Sequence, residues 1–457
     1  MMQKILDWLD ERIALRQLWA AYADRNIPGG ASWSYVFSSG LKSIYLTQFL
    51  TGLLLLLYYV PSTDHAHTTV EYIQKEVYLG YLVRGLHFYG ANLLLILSLL
   101  HLGQTLLTSA YKNKRELVWI SGLILLVLLQ GAFFTGYLLP WDQKAYFGTQ
   151  VALSILSSVP LVGELLETIV KGGPRMSTLT LSRFFVLHVL LLPALFITML
   201  TVHILLSRRA SLVADKQTDK VDKYYPSQFV RNTVFAFLLL LLLATLSHLV
   251  PVTLEPKADP SDTTYIPRPE WYFLPLFQLL KYFPGQLAIV PALLLPGLLF
   301  TVLALLPFLD RKVERRSRLG SAFLIVFICG FSMLLTLAKL DDYKDVATSK
   351  QLLAQQEKAR VFLSEPFLPQ RLDLKTQQTC PPASFLINCA ECHGQNAEGT
   401  KNGPKLIGIT HKPARSPKDL PKLLRDPSSY GLSEDMPDFS SLPDEEIEQI
   451  VDYLSSL

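Results

Sequence analysis

No cysteine occurs in the first 328 residues; the four in the chain are Cys329, Cys380, Cys389 and Cys392. A disulfide framework, a cysteine-ligated iron–sulfur cluster and a thioether-bound haem are thereby excluded from that long N-terminal part. Charge is also scarce. Only 18% of residues are Asp, Glu, Lys or Arg, while half are hydrophobic; soluble domains carry about 25% charged residues. The formal net charge of +4 over 457 residues is too small to argue for a polyanionic partner, and none of nucleic-acid type is expected. Internal repeats and low-complexity tracts are absent. The stretch from Met1 to Arg25 is amphipathic and charged, without the apolar core and small-residue cleavage site of a secretion signal.

What the sequence does contain is long apolar runs. A membrane helix needs about 20 mostly apolar residues, and seven segments qualify: 35–60, 80–108, 117–138, 184–206, 231–250, 287–308 and 319–338. Basic residues mark alternate ends of these runs: Lys4, Arg12, Arg16 and Arg25; Lys112, Lys114 and Arg115; Arg208, Arg209, Lys216, Lys220 and Lys223; then Arg311, Lys312, Arg315, Arg316 and Arg318. The positive-inside rule puts all four regions in the cytoplasm and the C-terminus outside. The expected fold is all-α: a seven-transmembrane-helix bundle followed by a small α-helical soluble domain. The expected divisions are an amphipathic cytoplasmic arm (1–30), a four-helix part (31–210), a three-helix part (211–340), a polar linker (341–379) with an amphipathic helix near 350–363, and the terminal domain (380–457).

Four histidines lie inside two of the runs: His87 and His101, 14 apart, and His188 and His203, 15 apart. In an ideal helix 14 steps miss four turns by about 40° and 15 overshoot by about 60°, so each pair sits broadly on one face, its members roughly 21–23 Å apart. Two such helices packed antiparallel set His87 opposite His188 and His101 opposite His203. Each couple can clamp one iron axially, which predicts two stacked b-type haems. A single buried histidine is more simply a hydrogen-bonded core residue; four at matched spacing, given the cost of ionisable groups in hydrocarbon, are a site. Gly122 and Gly136 repeat the 14-residue period and would leave room for a flat porphyrin, although glycine also serves ordinary helix packing. Arg84 and Arg183 precede the outer histidines and can meet haem propionates or simply snorkel to the interface.

Near the C-terminus, Cys389-Ala-Glu-Cys392-His393 is a C-x-x-C-H motif: two thiols for covalent haem attachment and a histidine for one axial position. It resembles, with Gly403-Pro404, Met436-Pro437 and a helix opening on Asp444-Glu445-Glu446, a class I cytochrome c over residues 383–457. That resemblance makes Met436 the sixth ligand, with His411 as competitor and a packing methionine as the plain alternative. Cys329 and Cys380 are expected to be free thiols, and His65, His67 and His248 interfacial or packing residues.

Residues 30–340 resemble the cytochrome b/b6 family. The likeness rests on Arg84-Gly-Leu-His87 with His101, Gly136-Tyr-Leu-Leu-Pro-Trp-Asp-Gln143, Arg183 to His188 with His203, and Pro269-Glu-Trp-Tyr272. The 15-residue spacing and Leu254-Glu-Pro256 are similar to the chloroplast-type branch, with its separate three-helix subunit IV joined here in one chain. That branch's cysteine for an extra haem corresponds to Val36, so a third membrane haem is not expected, and one family glycine appears as Ser38. The resemblance implies haem packing at Gly52, Gly122 and Gly136. It also implies an outer quinol site at Glu270 and Tyr272 with Tyr137, Pro140, Trp141, Pro269 and Trp271, and a cytoplasmic quinone site near Arg208.

Oxidising a quinol releases protons, so a titratable group must stand beside the donor hydroxyl. Glu270 between prolines 267, 269 and 275 suits that role, with Trp271, Tyr272 and Phe273 as an apolar wall. An interfacial aromatic belt with a solvated Glu is the plainer reading. The resemblance further implies a homodimer, membrane lipids around it, and a separate Rieske iron–sulfur protein, since no Rieske cysteine–histidine motif occurs. A soluble cytochrome or other acceptor would take electrons from the c-type domain. The function expected is therefore quinol:cytochrome c oxidoreductase in a prokaryotic inner membrane. Two other readings stand beside it: a di-haem anchor relaying electrons between quinone and another enzyme, and a transporter using histidines as proton relays.

Overall fold

A computed structural model describes residues 2–210, 220–311, 318–368, 381–395, 397–412, 415–432 and 436–457; Cys380 and the basic residues Lys216, Lys312, Arg315 and Arg316 lie outside them. The chain forms two compact units, residues 1–367 and 368–457.

The first unit is helical: α1 (Met2–Ile13), α2 (Leu15–Ala23), α3 (Phe37–Leu56), α4 (Ala66–Lys75), α5 (Gly80–Leu107), α6 (Glu116–Leu138), α7 (Gln143–Ser157), α8 (Gly163–Lys171), α9 (Thr178–Val186), α10 (Leu192–Arg209), α11 (Phe229–Leu249), α12 (Leu274–Leu280), α13 (Leu295–Leu309), α14 (Arg318–Lys344) and α15 (Val346–Ser364). The strands β1 (Asn26–Pro28) and β2 (Val221–Lys223) form one antiparallel pair that ties the N-terminal arm to the start of α11. Six helices are long and apolar enough to cross a membrane among the described residues: Gly80–Leu107, Glu116–Leu138, Thr178–Arg209, Tyr224–Leu249, Val290–Leu309 and Arg318–Lys344. The remaining expected span is α3, whose apolarity is diluted by Lys42, Gln48 and several hydroxyls. Ser43, Thr47 and Thr51 each donate to the carbonyl four residues back, so those polar groups are satisfied within the helix.

Helices α3, α5 and α11 pack around Ile44, Leu94, Leu95, Leu97, Leu239 and Leu243, with Leu129 and Phe133 arriving from α6. α9 and α10 form one continuous helix interrupted by a π turn at Leu187–Leu191. Its cause is Pro193, which has no N–H to give the Val189 carbonyl; instead Leu192 N–H reaches back five residues to Leu187 O. The wider turn takes up one extra residue. The 60° overshoot calculated for a uniform helix between His188 and His203 is thereby reduced, and 15 residues do the work of 14.

The stretch read from sequence as the start of a linker contributes the end of α14 and all of α15. Gln355 on α15 receives Ile266 N–H at 3.2 Å and donates to Ile266 O at 3.2 Å. Gln351 donates to Thr264 O, and Arg268 makes a two-pronged ion pair with Asp342 on α14. These bonds brace the 264–272 loop.

The second unit contains α16 (Ala383–Asn388), α17 (Ala390–His393), α18 (Leu420–Arg425) and α19 (Asp444–Ser456). Its core joins Phe385, Ile409, Leu420, Leu424, Ile447, Ile450, Val451 and Leu454. Phe385 meets Tyr453 edge-on at 4.8 Å, locking α16 against α19. Three acids in the first turn of α19 favour its dipole.

Candidate functional site

The histidines of α5 and of the α9–α10 helix face one another across the bundle. The rings of His87 and His188 have centroids 6.2 Å apart and planes crossed at 78°. Two metal–imidazole bonds of about 2.0–2.1 Å, plus half of each ring, come to about 6 Å, so the couple is spaced for one axial metal between them. His101 and His203 lie within electrostatic reach of each other farther along the bundle.

Each niche is walled by glycine. A Cβ on Gly136 would lie 2.5 Å from His188 Cε1, one on Gly52 3.3 Å from His87 Cε1, and one on Gly122 3.4 Å from His203 Cε1. The first is a clash, and the other two are close packing. Three ring nitrogens are held by a hydroxyl on the residue just before each glycine. Thr51 Oγ1 lies 3.0 Å from His87 Nδ1, Ser121 Oγ 2.9 Å from His203 Nδ1, and Thr135 Oγ1 3.3 Å from His188 Nδ1. Each hydroxyl spends its own hydrogen on a helix carbonyl, at Thr47, Val118 and Gly131 respectively. It therefore accepts from Nδ1–H, and a carbonyl three residues earlier, such as Ala132 O at 3.0 Å from His188 Nδ1, accepts as well. That tautomer leaves Nε2 for a metal.

The fourth histidine differs. His101 Nδ1 is buried without a hydrogen-bond partner among the described residues. Fourteen residues before Thr51-Gly52 stand Phe37-Ser38, where Phe37 has no hydroxyl to offer. The corresponding carbonyl, Ser34 O, is taken by Gln104 Nε2 at 2.5 Å. The glycine walls and the oriented donors at three of the four rings fit bis-histidine haem. Sequence reasoning passed over Thr51, Ser121 and Thr135; the repeated hydroxyl–glycine dipeptide was the available signal.

The two arginines behave otherwise. Arg84 is buried and donates to Gln74 Oε1, Val252 O and Thr253 O at 2.9–3.0 Å. Its guanidinium knits α5 to the chain after α11. Arg183 bonds the Ile169 carbonyl.

On the 264–272 loop, Glu270 Oε1 accepts from Lys144 Nζ at 2.5 Å. Tyr137 OH donates to the Lys144 carbonyl at 2.8 Å, so the structure brings Tyr137 and Glu270 to one residue. Trp271 Nε1 donates to Asn92 Oδ1 at 2.8 Å, and Tyr272 lies against Phe133 with ring centroids 5.5 Å apart; both join the core that carries α5. Burial, and then the Glu270 charge, push the Tyr272 hydroxyl upward, so it stays protonated. Trp141 follows Pro140 with φ 52° and is buried against Tyr146, inside the packing under the loop. Pro269 lies between Arg268, held by Asp342, and Glu270, held by Lys144. No sequence signal paired Lys144 with a residue 126 positions on.

Arg208, at the end of α10, is exposed and acts electrostatically on Lys42 and Tyr22. The Tyr22 and Tyr224 hydroxyls meet at 2.7 Å, and burial with this bond pushes Tyr22 up to about 12.

In the second unit Cys389, Cys392, His393, Met436 and Pro437 line one cavity of about 220 Å³, floored by Leu406, Leu420 and Leu424. His393 Nδ1 donates to Pro404 O at 2.8 Å, again freeing Nε2. Burial, then Cys392, pushes the Cys389 thiol up to about 11. His411's side chain lies outside the described residues. Cys329 is a free, exposed thiol on α14.

A helical bundle with paired, glycine-walled histidines, continued by a C-x-x-C-H unit with a methionine in the same cavity, defines a membrane-bound multihaem cytochrome. Comparisons with known proteins agree. The model described as cytochrome b/b6/petB matches residues 22–211, that for cytochrome b(C-terminal)/b6/petD residues 257–355, and that for cytochrome c residues 383–457. The chain is 39% identical over 220 residues to a menaquinol:cytochrome c reductase cytochrome b subunit of Geobacillus thermodenitrificans, covering 46% of this chain and 98% of that one. It is 34% identical over 336 residues to a cytochrome bc complex cytochrome b subunit of Chlorobaculum thiosulfatiphilum, covering 71% and 78%. A solved structure of a hyperthermophilic respiratory Complex III superposes with TM-score 0.66 at 27% identity, over 79% of this chain and all of that one. The chain belongs to the cytochrome b/b6 family and carries a cytochrome c domain at its C-terminal end.

Proposed function

We propose that this chain is the cytochrome b/c subunit of a quinol:cytochrome c oxidoreductase. The reading is carried by the His87–His188 couple, metal-spaced and glycine-walled, in the same unit as a carboxylate loop built on Glu270. α3 completes a seven-span bundle with the N-terminus cytoplasmic and the second unit on the outer face, since C-x-x-C-H haem is attached outside the cytoplasm. His87 and His188 hold an outer b-type haem, His101 and His203 an inner one, and Cys389, Cys392, His393 and Met436 a c-type haem. Bound there, the three groups supply one-electron relay across the membrane and out to an acceptor.

The protein's own part at the outer face is to bind quinol against the Trp271–Tyr272 wall and take its protons. Glu270 receives one when it leaves Lys144; Tyr137 and Tyr272 offer hydroxyls for orientation. Arg208, with Lys42, offers positive charge to a quinone on the cytoplasmic face. A separate Rieske protein takes one electron, a dimer is the working assembly, and a soluble cytochrome or other acceptor draws electrons from the c-type domain. The domain boundaries follow the sequence divisions except that α15 works with the outer loop.

A redox titration of the purified complex tests this, with two b-type and one c-type transitions expected from this chain. Absence of b bands would refute the histidine clamp. Glu270→Gln should slow quinol oxidation about a hundred-fold with both b haems retained; loss of haem in that variant would make Glu270 structural. The simpler anchor reading, without split electron paths, predicts no dependence on a Rieske subunit.

A further inference from the structure

Outside the haem niches, one carboxylate near the outer loop is left unused by the function above. Glu255, in the turn after α11, accepts from Tyr265 OH at 2.8 Å and lies within electrostatic reach of Lys144. Lys144 thus stands between these groups: its ammonium holds Glu270, its carbonyl holds Tyr137, and its charge acts on Glu255. Tyr265 is itself stacked on Phe147 at 5.0 Å.

We infer that Glu255 receives the second proton of quinol oxidation, passed from the Glu270–Lys144–Tyr137 cluster. This rests on the quinol-oxidising reading. In the step, the second quinol O–H bond breaks, its proton ends on a Glu255 carboxylate oxygen, and the electron pair leaves singly to the one-electron acceptors of the complex.

Two carboxylates at one junction have unequal tasks. Glu270 sits 2.5 Å from the Lys144 ammonium, so its carboxylate can turn to a substrate only when that contact opens. Glu255 has no ion pair of that kind among the described residues. Burial first, and the Asp142 charge second, push its carboxyl up to about 7, against the opposing pull of Tyr265 and Lys144. The groups facing it are Asp142 and Lys144 at the start of α7, Tyr265 on its own loop, Tyr137 on α6 and His67 on α4. His67 Nε2 donates to the Glu255 carbonyl at 2.8 Å and is held neutral by burial. Gln355 on α15 holds the backbone beside Tyr265, which fixes the donor.

Two measurements on the purified complex, with a short-chain quinol as reductant, test the idea. The first is the infrared carboxyl band as a function of pH with no substrate present. Wild type should show a protonated carboxyl that disappears as pH rises through about 7, and Glu255→Gln should lack it. The second is the pH profile of quinol oxidation. Glu255→Gln should lower the rate about a hundred-fold and erase the fall on the acid side. Tyr265→Phe keeps the carboxyl but removes a donor to its charged form; both the band and the acid limb should move to higher pH. An unchanged band and profile in Glu255→Gln, in a complex that still oxidises quinol and depends on Glu270, would overturn the inference alone. A wild-type complex that oxidises no quinol would remove the underlying reading instead.

Discussion

The two histidine niches are built from the same parts with one part missing. In the outer niche both histidines have a hydroxyl at Nδ1, from Thr51 and Thr135. In the inner one Ser121 serves His203, while His101 Nδ1 has no partner at hydrogen-bond distance among the described residues, the Gln104 side chain acting only electrostatically on its ring. An Nδ1–H···O bond makes imidazole a richer donor and favours the oxidised metal. With haem in both niches, the His87–His188 niche would hold the lower potential, and electrons would run from it toward the His101–His203 niche. The glycine walls differ too: the tightest approach, at Gly136, belongs to the outer niche and the loosest measured one, at Gly122, to the inner.

The largest effect should come from filling the tight wall. Gly136→Leu puts a side chain where even Cβ would be 2.5 Å from the His188 ring; the expected outcome is loss of the outer b transition in a redox titration, with the inner one intact. Gly122→Ala, at 3.4 Å, should keep both, and loss of the inner haem there would break the comparison. Next, Thr51→Val removes one acceptor from His87. It should raise the outer haem's potential and weaken haem retention roughly ten- to hundred-fold, read by titration and by haem loss on dilution. The smallest change is Phe37→Thr, which offers His101 the hydroxyl it lacks. The inner potential should fall toward the outer one, and a rise would reverse the argument.

Much of the architecture was legible in the chain. Histidine spacing placed four histidines on facing stretches of two helices, because helical geometry converts residue count into position. The cytochrome b/b6 and cytochrome c resemblances, carried by motifs such as Pro269-Glu-Trp-Tyr272 and C-x-x-C-H, match the families the comparisons find. Other parts were not readable. Ser and Thr in apolar helices usually bond back to their own backbone, so Thr51, Ser121 and Thr135 looked ordinary until the partner helix stood beside them. Lys144 with Glu270 and Gln355 with Ile266 are long-range meetings that only the fold creates. Arg84 likewise bonds Gln74, Val252 and Thr253, residues brought to it only by the fold, because a buried guanidinium must be satisfied.

The π turn at Leu187–Leu191 makes helix length and ligand placement separable quantities. A single-residue deletion there that also replaces Pro193 would let the helix close to ordinary pitch, carrying His203 along with little net rotation. The same deletion one turn later, beyond the widened stretch, would swing His203 by about 100° away from its iron. Insertions and deletions in this helix should thus be tolerated at one address and ruinous a few residues on.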